Sequence, residues 1–168
     1  TAFRVEAAVI DALGLDVLTN RVRGKDTVKL GRMPLKDLIP YYAATPVAVV
    51  DPVILIRVNK LYWHGIPAQE LYEATRGAWR LGPNRLKARY AFAVYESVVK
   101  AVYEIQGWHE AGTTEYLTRT PSDVVAPGRW EFTGTTAMPE VWARYVDRSV
   151  SHYLKPGSQN PIAYVNIS

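Results

Sequence analysis

Apolar residues recur at helical spacing at the start of the chain. Val5, Ala8, Val9, Ala12 and Leu13 fall on one face and predict an amphipathic helix over residues 1–13. Gly14 suits its stop, because the residue just past a last helical turn often needs positive φ. The polar, basic run from Thr19 to Asp26 reads as a loop. A short helix over Pro34 to Ile39 follows, with Pro34 at the first position, where a missing N–H costs nothing. Tyr41 to Val50 leads to Asp51-Pro52, where the organisation changes.

Beyond Asp51 the pattern is richer. Val53 to Val58 is an apolar, β-branched strand, and Pro67 to Arg76 is a helix opened by its proline and closed by Gly77. Arg89 to Tyr95 alternates, with Tyr90, Phe92 and Val94 facing one way and Ala91, Ala93 and Tyr95 the other. Val98 to Ile105 alternates again, and Glu96-Ser97 between the two strands reads as a tight hairpin. Thr113 to Gly128 is polar, contains Pro121 and Pro127, and reads as a long loop. Arg129 to Thr133 is a short strand. Pro139 to Val146 is a helix whose Val141, Trp142, Tyr145 and Val146 share a face, and Ile162 to Ile167 is the last strand. The order β-α-β-β-β-α-β, without regular βαβ alternation, predicts an α+β fold with a mixed, curved sheet or open barrel and flanking helices. Two domains are expected, at 1–50 and 51–168. The first fifty or so residues hold too little to close a core alone. Thr1, set directly against a helix, reads as a cut edge.

Composition narrows the functional classes. The chain has 168 residues, 48% hydrophobic and 21% charged, which excludes a wholly disordered polymer. No run approaches the ~18 apolar residues of a membrane span, and no basic-then-apolar leader is visible. Cysteine is absent, which removes disulfides, thiolate nucleophiles and sulfur-ligated zinc. That fits a reducing, cytoplasmic setting. A formal net charge of +4 permits a polyanionic partner without requiring one.

No catalytic constellation stands out in residues 52–168. His64, His109 and His152 are far apart, and none has a metal-ligand spacing, so each reads as structural. The informative stretch runs from Arg76 to Arg89. It carries Arg76, Arg80, Arg85, Lys87 and Arg89 around Trp79, with no acidic residue. Guanidinium forks grip phosphates and an aromatic ring stacks on an unpaired base, which together make a nucleic-acid surface. The plainer reading is a solvated connector whose arginine stems cover apolar surface. Five Trp and eleven Tyr make the chain aromatic-rich. Tyr95, Trp108 and Trp130, at strand ends or in loops, are candidates for a base pocket, joined by Asn160 in a polar turn segment near the C-terminus.

The first block, Phe3 to Asp16 followed by Leu18-Thr19-Asn20 and Arg23-Gly24, resembles the C-terminal third of a GIY-YIG nuclease domain of the LEM-domain-associated type. In that family a helix glutamate binds a divalent metal, Mg or Mn, and the matching position is Glu6. Asn20 matches the residue closing the Leu-Thr-Asn turn. The signature strands and the catalytic arginine and tyrosine would precede residue 1, and Gly65-Ile66-Pro67 is no substitute. The resemblance therefore implies a metal-dependent endonuclease parent and a fragment that does not itself cleave. The element order of the second block resembles the PUA-like fold of EVE, ASCH and YTH domains, whose members bind RNA or a modified base in an aromatic-walled cleft. The expected function is nucleic-acid binding, DNA ahead of RNA, with no membrane partner and no cofactor in residues 51–168. The alternatives are a structural or protein-interaction module and, behind it, an enzyme acting on a nucleobase.

Overall fold

The computed structural model describes residues 44–167. The chain divides into two compact units, residues 1–43 with 63–66 and residues 44–62 with 67–168. The helices expected over 1–13 and 34–39, together with Glu6 and Asn20, lie outside the described residues.

The second unit is built on a five-stranded sheet. β1 (Val53–Arg57), β2 (Tyr90–Tyr95), β3 (Val98–Glu110), β4 (Trp130–Thr136) and β5 (Ile162–Val165) lie in the order β4-β3-β2-β1-β5. β1 and β2 are parallel and joined by the helix α1 (Ala68–Arg76), while every other pair is antiparallel. A single helical turn, α2 (Pro121–Val124), sits in the β3–β4 connection, and α3 (Pro139–Tyr145) follows β4. The fold is α+β with a mixed sheet, as the hydrophobic pattern predicts.

Both faces of the sheet are covered, which is why its central strands read as near-continuous apolar runs. Val53 and Leu55 of β1 and Tyr90, Phe92 and Val94 of β2 join Tyr145 in one buried cluster, with Val141, Trp142 and Val146 packed against it. The α3 face is the expected one. On the other face the alternating partners are Ile54, Ile56, Ala91 and Ala93, all fully buried, and α1 packs across β2 and β4 there. The small side chains of Ala91 and Ala93 leave room for the helix.

The unit starts ahead of Asp51. Val49 is buried in the core, its N–H donates to Tyr153 Oη at 3.0 Å, and its carbonyl accepts from Asn166 Nδ2 at 2.6 Å. Tyr145 is fully buried and donates its hydroxyl to Asp51 Oδ2 at 2.6 Å. Residues 44–50 thus belong with the sheet and not with the preceding block.

β3 runs five residues past its expected end. A register shift between Ile105 and Gly107 lets the strand continue to Glu110, paired with β4 as far as Trp130. Gly134 faces the bulge, where a Cβ would lie against the Glu104 carbonyl and backbone carbon. Glu96 and Ser97 form the hairpin turn with φ of 46° and 72°, the left-handed pair that two-residue β-hairpins favour.

Candidate functional site

Two buried carboxylates shape one end of the module. Glu73 of α1 and Glu131 of β4 have no solvent exposure. Burial alone would force each carboxyl to neutralise. Instead each is saturated with donors from the β3–β4 connection. Glu73 accepts from Leu117 N at 2.7 Å, Thr118 N at 2.8 Å, Thr118 Oγ1 at 2.5 Å and Gln69 Nε2 at 2.8 Å. Burial pushes its pKa up, but these bonds, that from Thr118 Oγ1 foremost, outweigh it and bring the pKa down to about 2. Glu131 accepts from Gly112 N, Thr114 N, Thr114 Oγ1 and Tyr116 Oη, all within 2.9 Å. It too ends below the ordinary carboxylate range, its bonds outweighing its burial. Tyr116 is raised in turn, by burial and then by donating to Glu131. The polar stretch read as a loop is therefore an ordered strap held at two anionic points.

Arg76 completes the strap. Its guanidinium lies 3.7 Å from the centroid of the Tyr116 ring, donates to Thr114 Oγ1 at 2.8 Å and also to the Glu115 carbonyl. With 3% exposure it does not present itself to a phosphate, as the basic strip requires. A helix-terminal arginine without an adjacent acid looks free in sequence, yet here it serves backbone carbonyl, hydroxyl and aromatic partners.

Past Arg76 the chain turns through Gly77 and Ala78 to Trp79. Gly77 is extended, and a Cβ there would sit 2.8 Å from Glu131 Cβ and also strike Tyr116 Oη, so close approach explains the glycine. Trp79 and Trp130 exchange backbone N–H···O bonds of 2.8 Å, and the Trp79 indole N–H donates to Thr75 O at 2.7 Å. The half-buried indole is locked in place.

Beside it opens a cleft of about 520 Å³. Arg57, Asn59 and Lys60 enter it from the carboxyl end of β1, Arg119 and Asp123 from the strap and α2, Arg129 from the start of β4, and Ser158 and Gln159 from the turn before β5. Arg57 Nη2 donates to Ser158 O at 2.6 Å and to the Asn160 carbonyl. Arg119 donates to Gly77 O at 2.9 Å and Asp123 O at 3.2 Å, and Arg129 to Ala78 O at 3.2 Å. Ion pairs among the described residues join Arg89 to Glu104, Lys100 to Asp147 and Arg144 to Asp51, and none involves a cleft cation. Asp123 is the one acid lining the cleft. Its carboxylate is turned to Thr120 Oγ1 at 2.6 Å and Thr120 N at 3.0 Å, in the capping box of α2, and these bonds hold its pKa below the usual value.

Of the residues expected to bind nucleic acid, Trp79 alone lines this cleft. Arg80 is exposed. Arg85 lies 3.5 Å from the centroid of the Trp130 ring and donates to Gly82 O. Lys87 is exposed, and Arg89 is paired to Glu104 at 3.2 Å. The strip is divided between cleft wall, core and surface. None of the residues expected to form a base pocket lines this cleft. Tyr95 stacks on Tyr62 at 4.4 Å near the hairpin, while Trp108 meets Phe132 edge-on at 5.5 Å in the β3–β4 ribbon. Trp130 lies beneath Arg85, and Asn160 uses its Oδ1 to accept from Ile162 N at 3.1 Å. Tyr95 ends β2, Trp108 lies in β3, Trp130 opens β4 and Asn160 precedes β5.

The cleft cations Arg57, Lys60, Arg119 and Arg129 escape a local reading because they come from three separate segments. One signal was present. A β-strand, helix, parallel β-strand unit places ligands beyond the carboxyl end of its strands, and Arg57 to Lys60 sit just there. Among the described residues no group of three or more His, Asp or Glu could hold a metal, and no helix is long and apolar enough to cross a membrane. No protein-family model, curated protein or solved structure matches the chain.

Proposed function

We propose that residues 44–62 and 67–168 form a nucleic-acid-binding module whose binding site is the cleft beside Trp79. The carrying observation is the gathering of Arg57, Lys60, Arg119 and Arg129 around a fixed indole, none of the four in a salt bridge among the described residues. Backbone carbonyls orient these guanidinium groups without neutralising them, so their charge is available to phosphate. Trp79 supplies a flat wall on which a base stacks, worth ~1–3 kcal/mol per base. The site is thus a rearranged version of the sequence expectation: the same chemistry, with other cations.

Two further elements of this reading rest on resemblance. The element order and mixed sheet are compatible with a PUA-like module. Residues 3–24 support a GIY-YIG-like nuclease partner, in which Glu6 would be the metal-binding carboxylate and a divalent ion would supply charge stabilisation at the phosphodiester.

The test is a titration of the chain with single-stranded and duplex oligonucleotides across a range of salt. Binding should weaken with salt, with a log–log slope of ~0.7 per phosphate neutralised on a single strand. Replacing Lys60 and Arg129 by Ala should weaken it by about tenfold or more. Salt-independent binding, or none at low salt, overturns the proposal.

A further inference from the structure

The charge and size of the cleft carry a narrower conclusion, which rests on the nucleic-acid reading. We infer that its ligand is the phosphorylated end of a single strand, one nucleotide bearing a phosphomonoester, and not an internal stretch of a strand or duplex. Four cations and one acid line the cleft. The carboxylate of that acid is hydrogen-bonded within the Thr120 cap and also feels the charge of Arg119, and none of the four cations forms a salt bridge among the described residues. These five side chains carry a net charge of three positive units.

The volume of about 520 Å³ matches one small ligand, in the ~300–1,000 Å³ range of ligand pockets. It is far too small for a duplex. An internal nucleotide brings one phosphodiester of its own and a second shared with its neighbour, which leaves a cation unmatched. A terminal phosphomonoester carries about −1.5 to −2 at neutral pH, and with the adjoining diester it balances the cleft.

Oxygen geometry points the same way. A phosphodiester offers two non-bridging oxygens, whereas a phosphomonoester offers three. Arg57 has only Nη2 engaged by protein, and Arg129 only Nη1, so both keep N–H groups to donate. Forked donors approaching from separate walls suit the monoester. Trp79, its rotamer held by Thr75 O, then faces the terminal base, which has a neighbour on one side only and gains most from a stacking surface.

The experiment compares short single strands of one sequence, labelled internally, with a 5′-phosphate, a 3′-phosphate, hydroxyls at both ends, or closed into a circle. One phosphorylated form should bind about tenfold or more tighter than the hydroxyl and circular forms. In Arg129→Ala that preference should shrink several-fold. A nucleoside 5′- or 3′-monophosphate should compete, less strongly than the phosphorylated strand. Equal binding of all four strands overturns the end reading while leaving nucleic-acid binding intact. A mononucleotide competing as well as the strand overturns it in favour of a free nucleotide. Binding of none of them removes the nucleic-acid reading itself.

Discussion

A carboxylate stripped of all solvent keeps its charge only when its oxygens are filled with hydrogen bonds, and Glu73 is such a case. Four donors reach it, three of them from Leu117 and Thr118 across a sequence gap of more than forty residues. The bonds hold its pKa at about 2, against 4.5 for the unperturbed group. Because the folded value lies below the unfolded one, Glu73 stabilises the fold fully above the unfolded pKa, and that stabilisation drains away as pH falls from about 4.5 through about 2. Urea midpoints should be level between pH 7 and 5 and drop steeply below. Glu73→Gln keeps the shape but sets an amide N–H₂ against donors, and should cost about 3 kcal/mol at pH 7. It should also flatten the acid limb, with the remaining slope due in part to Glu131, which is shifted in the same direction. An unchanged acid limb would show that Glu73 is not held ionised.

At the scale of the element, the β2–β3 hairpin turns on two residues that dislike their backbone. Ser97 has φ of 72°, a conformation that costs an L-residue ~1–2 kcal/mol and a glycine almost nothing. Ser97→Gly should raise stability by about 0.5–1 kcal/mol after the added chain entropy, seen as a rise of roughly 2 °C in Tm. A fall would contradict the left-handed turn. The hairpin was legible because its signal is local: two alternating runs separated by a pair of polar residues. The strands, α1 and α3 were legible for the same reason. The end of β3 was not, since Gln106-Gly107-Trp108-His109-Glu110 breaks alternation and gains its strand form from a bulge and from β4, residues away in sequence. The strap over residues 111–119 was equally hidden. Its order comes from Glu73 and Glu131, and a polar run looks the same in sequence whether its N–H groups face water or a buried carboxylate.

Only the assembled second unit makes the cleft. Arg57 and Lys60 follow a strand, Arg119 depends on the strap, and Arg129 opens β4, so their meeting is a product of tertiary fold and not of any basic run. Trp79, which lines the cleft, was legible as a candidate because it stands out within its own segment. The cations assigned to it were not, because neighbours in sequence such as Arg76 and Arg89 are claimed by Tyr116 and Glu104. The net charge of +4 is therefore a poor guide to affinity, and two single reversals separate place from total. Arg129→Glu and Arg148→Glu each lower the net charge by two. Arg129 lines the cleft, while Arg148 follows α3 and bonds to Thr45 Oγ1 at 2.5 Å, outside the lining residues. If binding followed bulk charge, the two variants would weaken alike. With the cleft as the site, Arg129→Glu should lose about tenfold or more in affinity and reduce the salt slope by about one, while Arg148→Glu leaves both within a factor of about two. Equal losses in anisotropy titrations at matched ionic strength would move the binding surface away from the cleft.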